Sequence, residues 1–162
     1  MAAELKRRGI CRKSTSDHRA FPVALVKPNG KIRTCVDWRR LNKKTREYAL
    51  GKPLIKDIIW KLGGGNANFL TVMDCSEGYY QIKLKDNASM RRTAIWMPPS
   101  EHLEFTRLPF GLKNAVSQFI FALNVVLGDL VGKACHVFIY DIICVGKTEE
   151  ESVKNFFLVV NA

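Results

Sequence analysis

An α+β fold with a mostly antiparallel sheet is what this sequence predicts, and three observations lead there. Strand-like and helix-like stretches mix without strict βα alternation. Short strand candidates face one another across turn signals, as antiparallel neighbours do. Two apolar runs, residues 69–74 and 137–143, carry a carboxylate at a strand end, and between them a Pro/Gly turn at 108–112 leads into an apolar helix.

The 162 residues are enough for one domain, or a domain with a lobe. Hydrophobic content of 47% and charged content of 25% fit a globular chain with a core and exclude disorder throughout. The 26 Lys and Arg outnumber 15 Asp and Glu, a net charge of +11 that favours a polyanionic partner, most simply nucleic acid. Five cysteines (Cys11, Cys35, Cys75, Cys135, Cys144) form no CxxC pair and have no His at zinc spacing; Cys35, Cys75 and Cys144, within or beside apolar runs, read as small buried hydrophobes, and the odd count favours a reducing compartment. The N-terminus lacks an apolar signal core, and no run approaches the roughly 20 apolar residues of a membrane span. An intracellular protein without membrane attachment is expected.

In order along the chain, residues 4–12 are basic and helical in pattern, and 14–17 form a turn or cap. Pro22 opens a strand over 23–27. Pro28-Asn29-Gly30 turns it, and 31–36 return with Ile32, Thr34 and Val36 on one face, giving a β-hairpin with a basic face. Apolar residues at 54, 55, 58, 59 and 62 mark one helix face, stopped by Gly63-Gly64-Gly65. Residues 69–74 form a strand. Residues 78–84 form another, with Tyr80, Ile82 and Leu84 alternating against Gln81 and Lys83. Residues 92–96 and 103–105 add two strands around Pro98-Pro99. Residues 114–130 are a long helix, apolar nearly all round and hence mostly buried. Residues 134–145 are a buried hairpin with Tyr140-Asp141 near its turn. Acids at 149–151 start a last helix.

Asp74 closes an apolar strand, where a carboxylate is costly unless a cation, metal or solvent meets it. The alternative is a cap on the following turn through Ser76 or Glu77. Six of the seven residues from 137 to 143 are apolar or aromatic, so Asp141 asks for a charged partner or a metal, or else bonds its own turn backbone. Glu77 reads as solvent-facing. On a strand Tyr79 and Tyr80 point to opposite faces, one to the core and one to a cleft. Lys27, Lys31, Arg33, Arg39 and Arg40 line the first hairpin and its continuation, either a phosphate-contact surface or a solvated basic face. His18, His102 and His136 have no partner at catalytic spacing and receive no role.

These residues also stand in a recognisable order. Cys35-Val-Asp-Trp-Arg-Arg-Leu-Asn-Lys43, Met73-Asp-Cys-Ser-Glu-Gly-Tyr-Tyr-Gln-Ile82, Glu104-Phe-Thr-Arg-Leu-Pro-Phe-Gly-Leu-Lys-Asn-Ala115 and Phe138-Ile-Tyr-Asp141, with Gly9-Ile-Cys-Arg-Lys-Ser14 ahead of them, resemble the reverse transcriptase domain of gypsy-like LTR retrotransposon Pol polyproteins. The resemblance implies a right-hand polymerase, with fingers at about 1–68 and 85–107 and a palm at about 69–84 and 108–162 whose antiparallel sheet packs on helices. It implies an RNA- or DNA-templated DNA polymerase using two Mg²⁺ ions, a template–primer and a dNTP. Asp74 and Asp141 would be catalytic metal ligands. Tyr79 would gate the sugar, Lys27 and Arg33 would touch the triphosphate, and Phe110 and Gly111 would pack on the nucleotide.

This copy departs from the family pattern. In the Y-x-D-D hairpin, read here as 138–141, Tyr140 takes the place of the first Asp, which the resemblance implies leaves the metal site one carboxylate short. Val116 replaces a proline and Ile120 a glutamine, and about two residues are inserted over 63–68. No thumb, primer grip, RNase H or integrase follows within the 162 residues. A truncated, catalytically silent copy is expected, or a nucleic-acid-binding module derived from one.

Overall fold

The computed structural model describes residues 2–26, 28–30, 32–48, 55–63 and 67–162, with the backbone alone for Ile32 and Arg33. In chain order the elements begin with α1 (Ala2–Arg7), β1 (Cys11–Lys13), β2 (Pro22–Val26), β3 (Ile32–Val36), α2 (Arg39–Lys44) and α3 (Ile55–Gly63). There follow β4 (Phe69–Asp74), α4 (Gly78–Gln81), α5 (Asn87–Arg92), β5 (Ala94–Met97) and β6 (Glu101–Phe105). The last are α6 (Ala115–Leu127), a 3₁₀ turn (Gly128–Leu130), β7 (Cys135–Phe138), β8 (Asp141–Gly146) and α7 (Glu149–Val160). They form two compact units, residues 1–47 with 79–115 and residues 48–78 with 116–162.

The first unit holds a three-stranded antiparallel sheet ordered β1-β6-β5 and the β2–β3 hairpin. Leu5, Ile10, Trp38, Ile95, Met97, Leu103 and Phe105 form its core. Each large apolar side chain taken fully out of water contributes about 1.5–3 kcal/mol. Glu104 lies buried in that sheet, and its two oxygens are satisfied by Arg12 Nε at 2.8 Å and Ser14 Oγ at 2.6 Å. The hairpin has the register that alternation predicts, Val26 opposite Ile32, with Gly30 at φ +75° in its turn.

The second unit is a three-stranded antiparallel sheet ordered β4-β8-β7. On one face Met73, Ile142, Cys144, Cys135 and Val137 join Leu123 and Leu127 of α6 and Phe156 and Val159 of α7 in a second core. α7 starts where expected: Thr148 caps it, its side chain accepting from Glu151 N–H at 3.2 Å, and three acids complement the helix N-terminus. Gly146 allows α7 to lie close to β8, because a Cβ there would sit 2.4 Å from the Ser152 nitrogen.

Four expectations are corrected. Residues 78–84 are not a strand. Gly78–Gln81 is a helical turn, and residues 83 and 107 share an isolated bridge. The alternation of Tyr80, Ile82 and Leu84 is overridden by packing, with Tyr80 and Leu84 set against the first core. Residues 87–92 are helical, capped by the Asp86 side chain accepting from Ser89 N–H at 2.7 Å, so the following strand starts at Ala94 rather than at 92. α6 is not mostly buried, since Phe121, Val125 and Val126 are exposed. The basic stretch at 4–12 is helical only to Arg7 and turns at Gly9 into β1. Leu54, the first residue of the helix pattern at 54–62, and Gly64 and Gly65 lie outside the described residues. Among the described residues no helix is long and apolar enough to cross a membrane.

Candidate functional site

The sheet register brings the two carboxylates together. β4 and β8 pair so that Asp74 lies directly opposite Asp141, on the face away from the helices. Beyond them Cys75 N–H donates to the Tyr140 carbonyl at 3.1 Å. That makes 75 and 140 the hydrogen-bonded pair and leaves Asp74 and Asp141 at the closer, non-hydrogen-bonded position. Asp74 is exposed and Asp141 half-buried. Like charges at such a position repel, and among the described residues neither is in an ion pair. Their field is felt next door: burial, then the Asp74 charge, then the Asp141 charge push the Cys75 thiol above its ordinary value of 9.0. The turn after Asp74 is closed by Gly78 N–H donating to the Cys75 carbonyl at 3.1 Å.

A two-residue turn, Ile139 and Tyr140, joins β7 to β8, since Phe138 pairs with Asp141. Ile139 sits at φ +56°, as the first central residue of a II′ turn requires, although a β-branched residue is strained there. Tyr140 turns its ring toward buried Phe119 of α6, with centroids 6.2 Å apart. α6 in turn leaves no room at Gly78, where a Cβ would lie 2.4 Å from the Phe119 ring.

The two-Mg²⁺ centre implied by the resemblance would find Asp74 and Asp141 as its carboxylates here, one fewer than in the family pattern. Mg²⁺ demands near-octahedral oxygen ligation. The hairpin offers two carboxylates and a phenol, and a phenol with an unperturbed pKa near 10 brings no charge at neutral pH. Among the described residues no group of three or more His, Cys, Asp or Glu is placed to hold a metal.

In the first unit a second set of motif residues is tightly connected. Phe110 packs against Tyr79 and Tyr80 of α4, tilted to the first with ring centroids 4.8 Å apart and edge-on to the second at 5.1 Å, and Tyr79 is only 2% exposed. Both tyrosines therefore reach one aromatic cluster, against the expectation of opposite faces, because they lie on a helical turn. Gly111 sits at φ +88°, and a Cβ there would approach Trp38 Cδ1 at 3.1 Å. Trp38 Nε1 donates to the Phe110 carbonyl at 2.8 Å, and Asn42 Nδ2 donates to the Gly111 carbonyl at 2.9 Å. The Asn42 side-chain oxygen accepts from Lys113 N–H at 2.8 Å. Trp38 and Asn42 thus hold the 108–113 loop, a role that sequence reading did not assign. Its signal was their place in the 35–43 signature.

Of the basic residues, Lys27 and Lys31 lie outside the described residues, and Arg33 is described in backbone only, on β3. Arg39 and Arg40 are exposed on α2 and line an open cleft of about 500 Å³ with Asn42, Lys43 and Lys113. Arg39 grips Asp37, Nε to Oδ1 at 2.9 Å and Nη2 to Oδ2 at 2.7 Å. Those bonds, with the Arg39 N–H, pull the Asp37 carboxyl down to about 2.

A profile described as Reverse transcriptase (RNA-dependent DNA polymerase) matches residues 25–161. The Retrovirus-related Pol polyprotein from transposon opus of Drosophila melanogaster is 36% identical over 163 residues, covering 97% of this chain and 16% of that protein. The corresponding polyprotein from transposon gypsy of the same organism is 34% identical over 97% of this chain and 15% of its own length. The chain therefore spans about a sixth of these relatives. Among solved structures, native prototype foamy virus protease-reverse transcriptase superposes with a TM-score of 0.81 at 21% identity, over 98% of this chain and 20% of that one. The foamy viral enzyme in complex with RNA/DNA hybrid gives 0.81 at 20% identity, over 99% of this chain and 21% of that one. These structures show the fold, that of polymerase fingers and palm. Since the profile runs over most of the chain and the Pol relatives exceed 30% identity across nearly all of it, this protein belongs to the reverse transcriptase (RNA-dependent DNA polymerase) family.

Proposed function

We propose that this chain is the fingers-and-palm part of a retrotransposon Pol reverse transcriptase that keeps the fold and a nucleic-acid surface but does not join nucleotides. One observation carries the reading: beside the Asp74–Asp141 pair, the hairpin presents Tyr140, turned toward Phe119, where the family pattern has a third carboxylate. Losing even a group that only orients a metal ligand costs about 10–100-fold. Losing a ligand costs more, and a hundredfold is already about 2.7 kcal/mol of barrier. The Tyr79–Phe110 cluster and the Trp38–Asn42 brace would still shape a pocket for a dNTP, whose triphosphate the resemblance assigns to Lys27 and Arg33, but the chemistry at the primer end would lack its pair of metal ions.

A second reading, a binding module descended from the polymerase, is favoured by the net charge of +11 and by the Arg39, Arg40, Lys43 and Lys113 cleft. Its partner would be a template–primer, as in the foamy viral complex with RNA/DNA hybrid. The two readings agree on silence and differ in whether silence is a lesion or the working state.

Primer extension on a DNA-primed RNA template with Mg²⁺ tests both, run beside Mn²⁺ binding followed by electron paramagnetic resonance. The chain as it stands should extend no primer. Tyr140→Asp should bind Mn²⁺ at least about tenfold more tightly. Template-dependent extension by the unaltered chain would overturn the proposal. Unchanged Mn²⁺ affinity in Tyr140→Asp would remove the lesion from the hairpin.

A further inference from the structure

The second unit carries a basic cleft that the polymerase reading does not use. Lys61 of α3, Lys133 before β7, His136 of β7 and Lys147 after β8 converge on an open cavity of about 540 Å³, with Trp60 on its rim. Trp60 is 85% exposed, the most exposed large apolar side chain among the described residues. Among the described residues none of the three ammonium groups is in an ion pair. The one acid in the lining, Glu151, is turned to the backbone, its carboxylate accepting from Lys147 N–H at 2.8 Å. Burial and the Lys61 charge hold the His136 imidazole below its ordinary value, so at neutral pH it offers a neutral N–H beside three cations.

Three exposed lysines lining one cleft make a local positive potential that attracts a polyanion. An exposed indole beside them supplies what a phosphate site alone does not need: a flat surface for a base. Lysines tracking a backbone with an aromatic stacking platform are the composition of single-strand binding grooves. The register also sets the direction. His136 and Val145, both in the lining, share with Asp141 the sheet face opposite α6 and α7, where Val145 is buried. Val145 lies four positions along β8 from Asp141, about 13 Å along the strand.

We propose that this cleft binds single-stranded nucleic acid, with phosphates on Lys61, Lys133 and Lys147 and a base on Trp60, at the opposite end of β8 from the carboxylate pair. It rests on the reading that the chain binds nucleic acid, and it adds a second site in a different unit from the Arg39–Arg40–Lys43–Lys113 cleft.

Fluorescence anisotropy of a labelled oligo(dT) dodecamer tests it, across a salt series, with the full chain and two triple variants. One is Lys61→Gln, Lys133→Gln, Lys147→Gln. The other is Arg39→Gln, Arg40→Gln, Lys43→Gln in the first unit. All these positions are on the surface, and circular dichroism checks that both variants fold. The second-unit variant should lose at least about tenfold in affinity, and its log–log salt slope should shrink by about 2, at about 0.7 per phosphate on a single strand. Trp60→Ala should weaken binding about fivefold or more with little change in salt slope, because stacking releases no counterions. Wild-type affinity in the second-unit variant, with loss confined to the first-unit variant, would overturn the cleft and leave nucleic-acid binding standing. No binding by the unaltered chain would overturn both. Competition by poly-glutamate as strong as by unlabelled oligo(dT) would mark a general polyanion surface and overturn the single-strand assignment.

Discussion

The aromatic brace of the first unit and the carboxylate hairpin of the second are both built from family motifs, yet they stand in opposite conditions. Around Phe110 every motif residue has its partner: Trp38 and Asn42 bond the loop carbonyls, Gly111 has the φ that only glycine takes easily, and two tyrosines pack on the ring. At the hairpin the backbone is intact while the chemistry is short of a charge. Cys75 N–H reaches the Tyr140 carbonyl whatever side chain residue 140 carries, and the register holds through Met73, Ile142 and Cys144 on the core face. The difference teaches that the two kinds of motif depend on different physics. Loss of the brace would cost folding energy. A carboxylate facing another carboxylate contributes repulsion rather than packing, so the hairpin's register should depend little on which side chain residue 140 carries.

The sharpest way to break that contrast is Trp38→Ala. It removes a buried indole, its bond to the Phe110 carbonyl and its contact with Gly111, and should cost about 3–5 kcal/mol. Urea unfolding followed by circular dichroism reads this as a large fall in midpoint. Asp74→Ala in the same assay should cost nothing measurable. A Trp38→Ala cost under about 1 kcal/mol, or a comparable cost for Asp74→Ala, would erase the distinction between brace and site.

Much of this was legible from the chain, and what was missed has a common physical cause. The β2–β3 hairpin, the strand ending at Asp74 and the helix after Thr148 follow from alternation, turn residues and a cap, which are local signals. Asp74 and Asp141 each showed as a carboxylate at the end of an apolar run. Their direct opposition is a matter of register across more than sixty residues, which no local pattern states. Residues 78–84 alternated like a strand and folded as a turn because Tyr79 and Tyr80 gain more from Phe110 than from a ladder. α5 has only a local signal, Asp86 and Ser89 at capping spacing, in a stretch too short and polar to show a helical face. The composition of α6 predicts burial, but an apolar helix is buried only where something covers it, and Phe121, Val125 and Val126 are bare.

A smaller effect sharpens the hairpin side. Ile139 occupies φ +56°, and such strain costs about 1–3 kcal/mol. Glycine takes that conformation freely but loses about 0.5–1 kcal/mol through the unfolded chain. Ile139→Gly should therefore gain about 1 kcal/mol in the same urea assay. A loss would mean that the isoleucine side chain contributes packing that outweighs the strain, and the hairpin would then resemble the brace more than the comparison allows.

The smallest effect is the most diagnostic, because Cys75 acts as a reporter of charge at the site. Burial raises its thiol pKa first, and the Asp74 and Asp141 charges raise it further. A raised pKa means less thiolate at a given pH, and the thiolate is the species that reacts with iodoacetamide. Asp74→Asn removes one negative charge, so the pKa falls and Cys75 alkylates faster at pH 8, by about two- to tenfold, since one pKa unit is tenfold in thiolate. Tyr140→Asp adds a charge and should slow the same reaction in the absence of divalent ions. Mg²⁺ should then restore the rate in Tyr140→Asp and leave the unaltered chain within about twofold, because two carboxylates alone hold the ion weakly. Cys11 and Cys135, pushed by burial to about 12 and about 11, serve as internal controls that stay unreactive in every variant. Peptide mass mapping of Cys75 reads each rate. An alkylation rate indifferent to Asp74→Asn would mean that the opposed carboxylates do not share their field with the strand end. A strong Mg²⁺ response in the unaltered chain would mean that Asp74 and Asp141 hold the ion without the missing Asp, and the hairpin would be as complete as the brace.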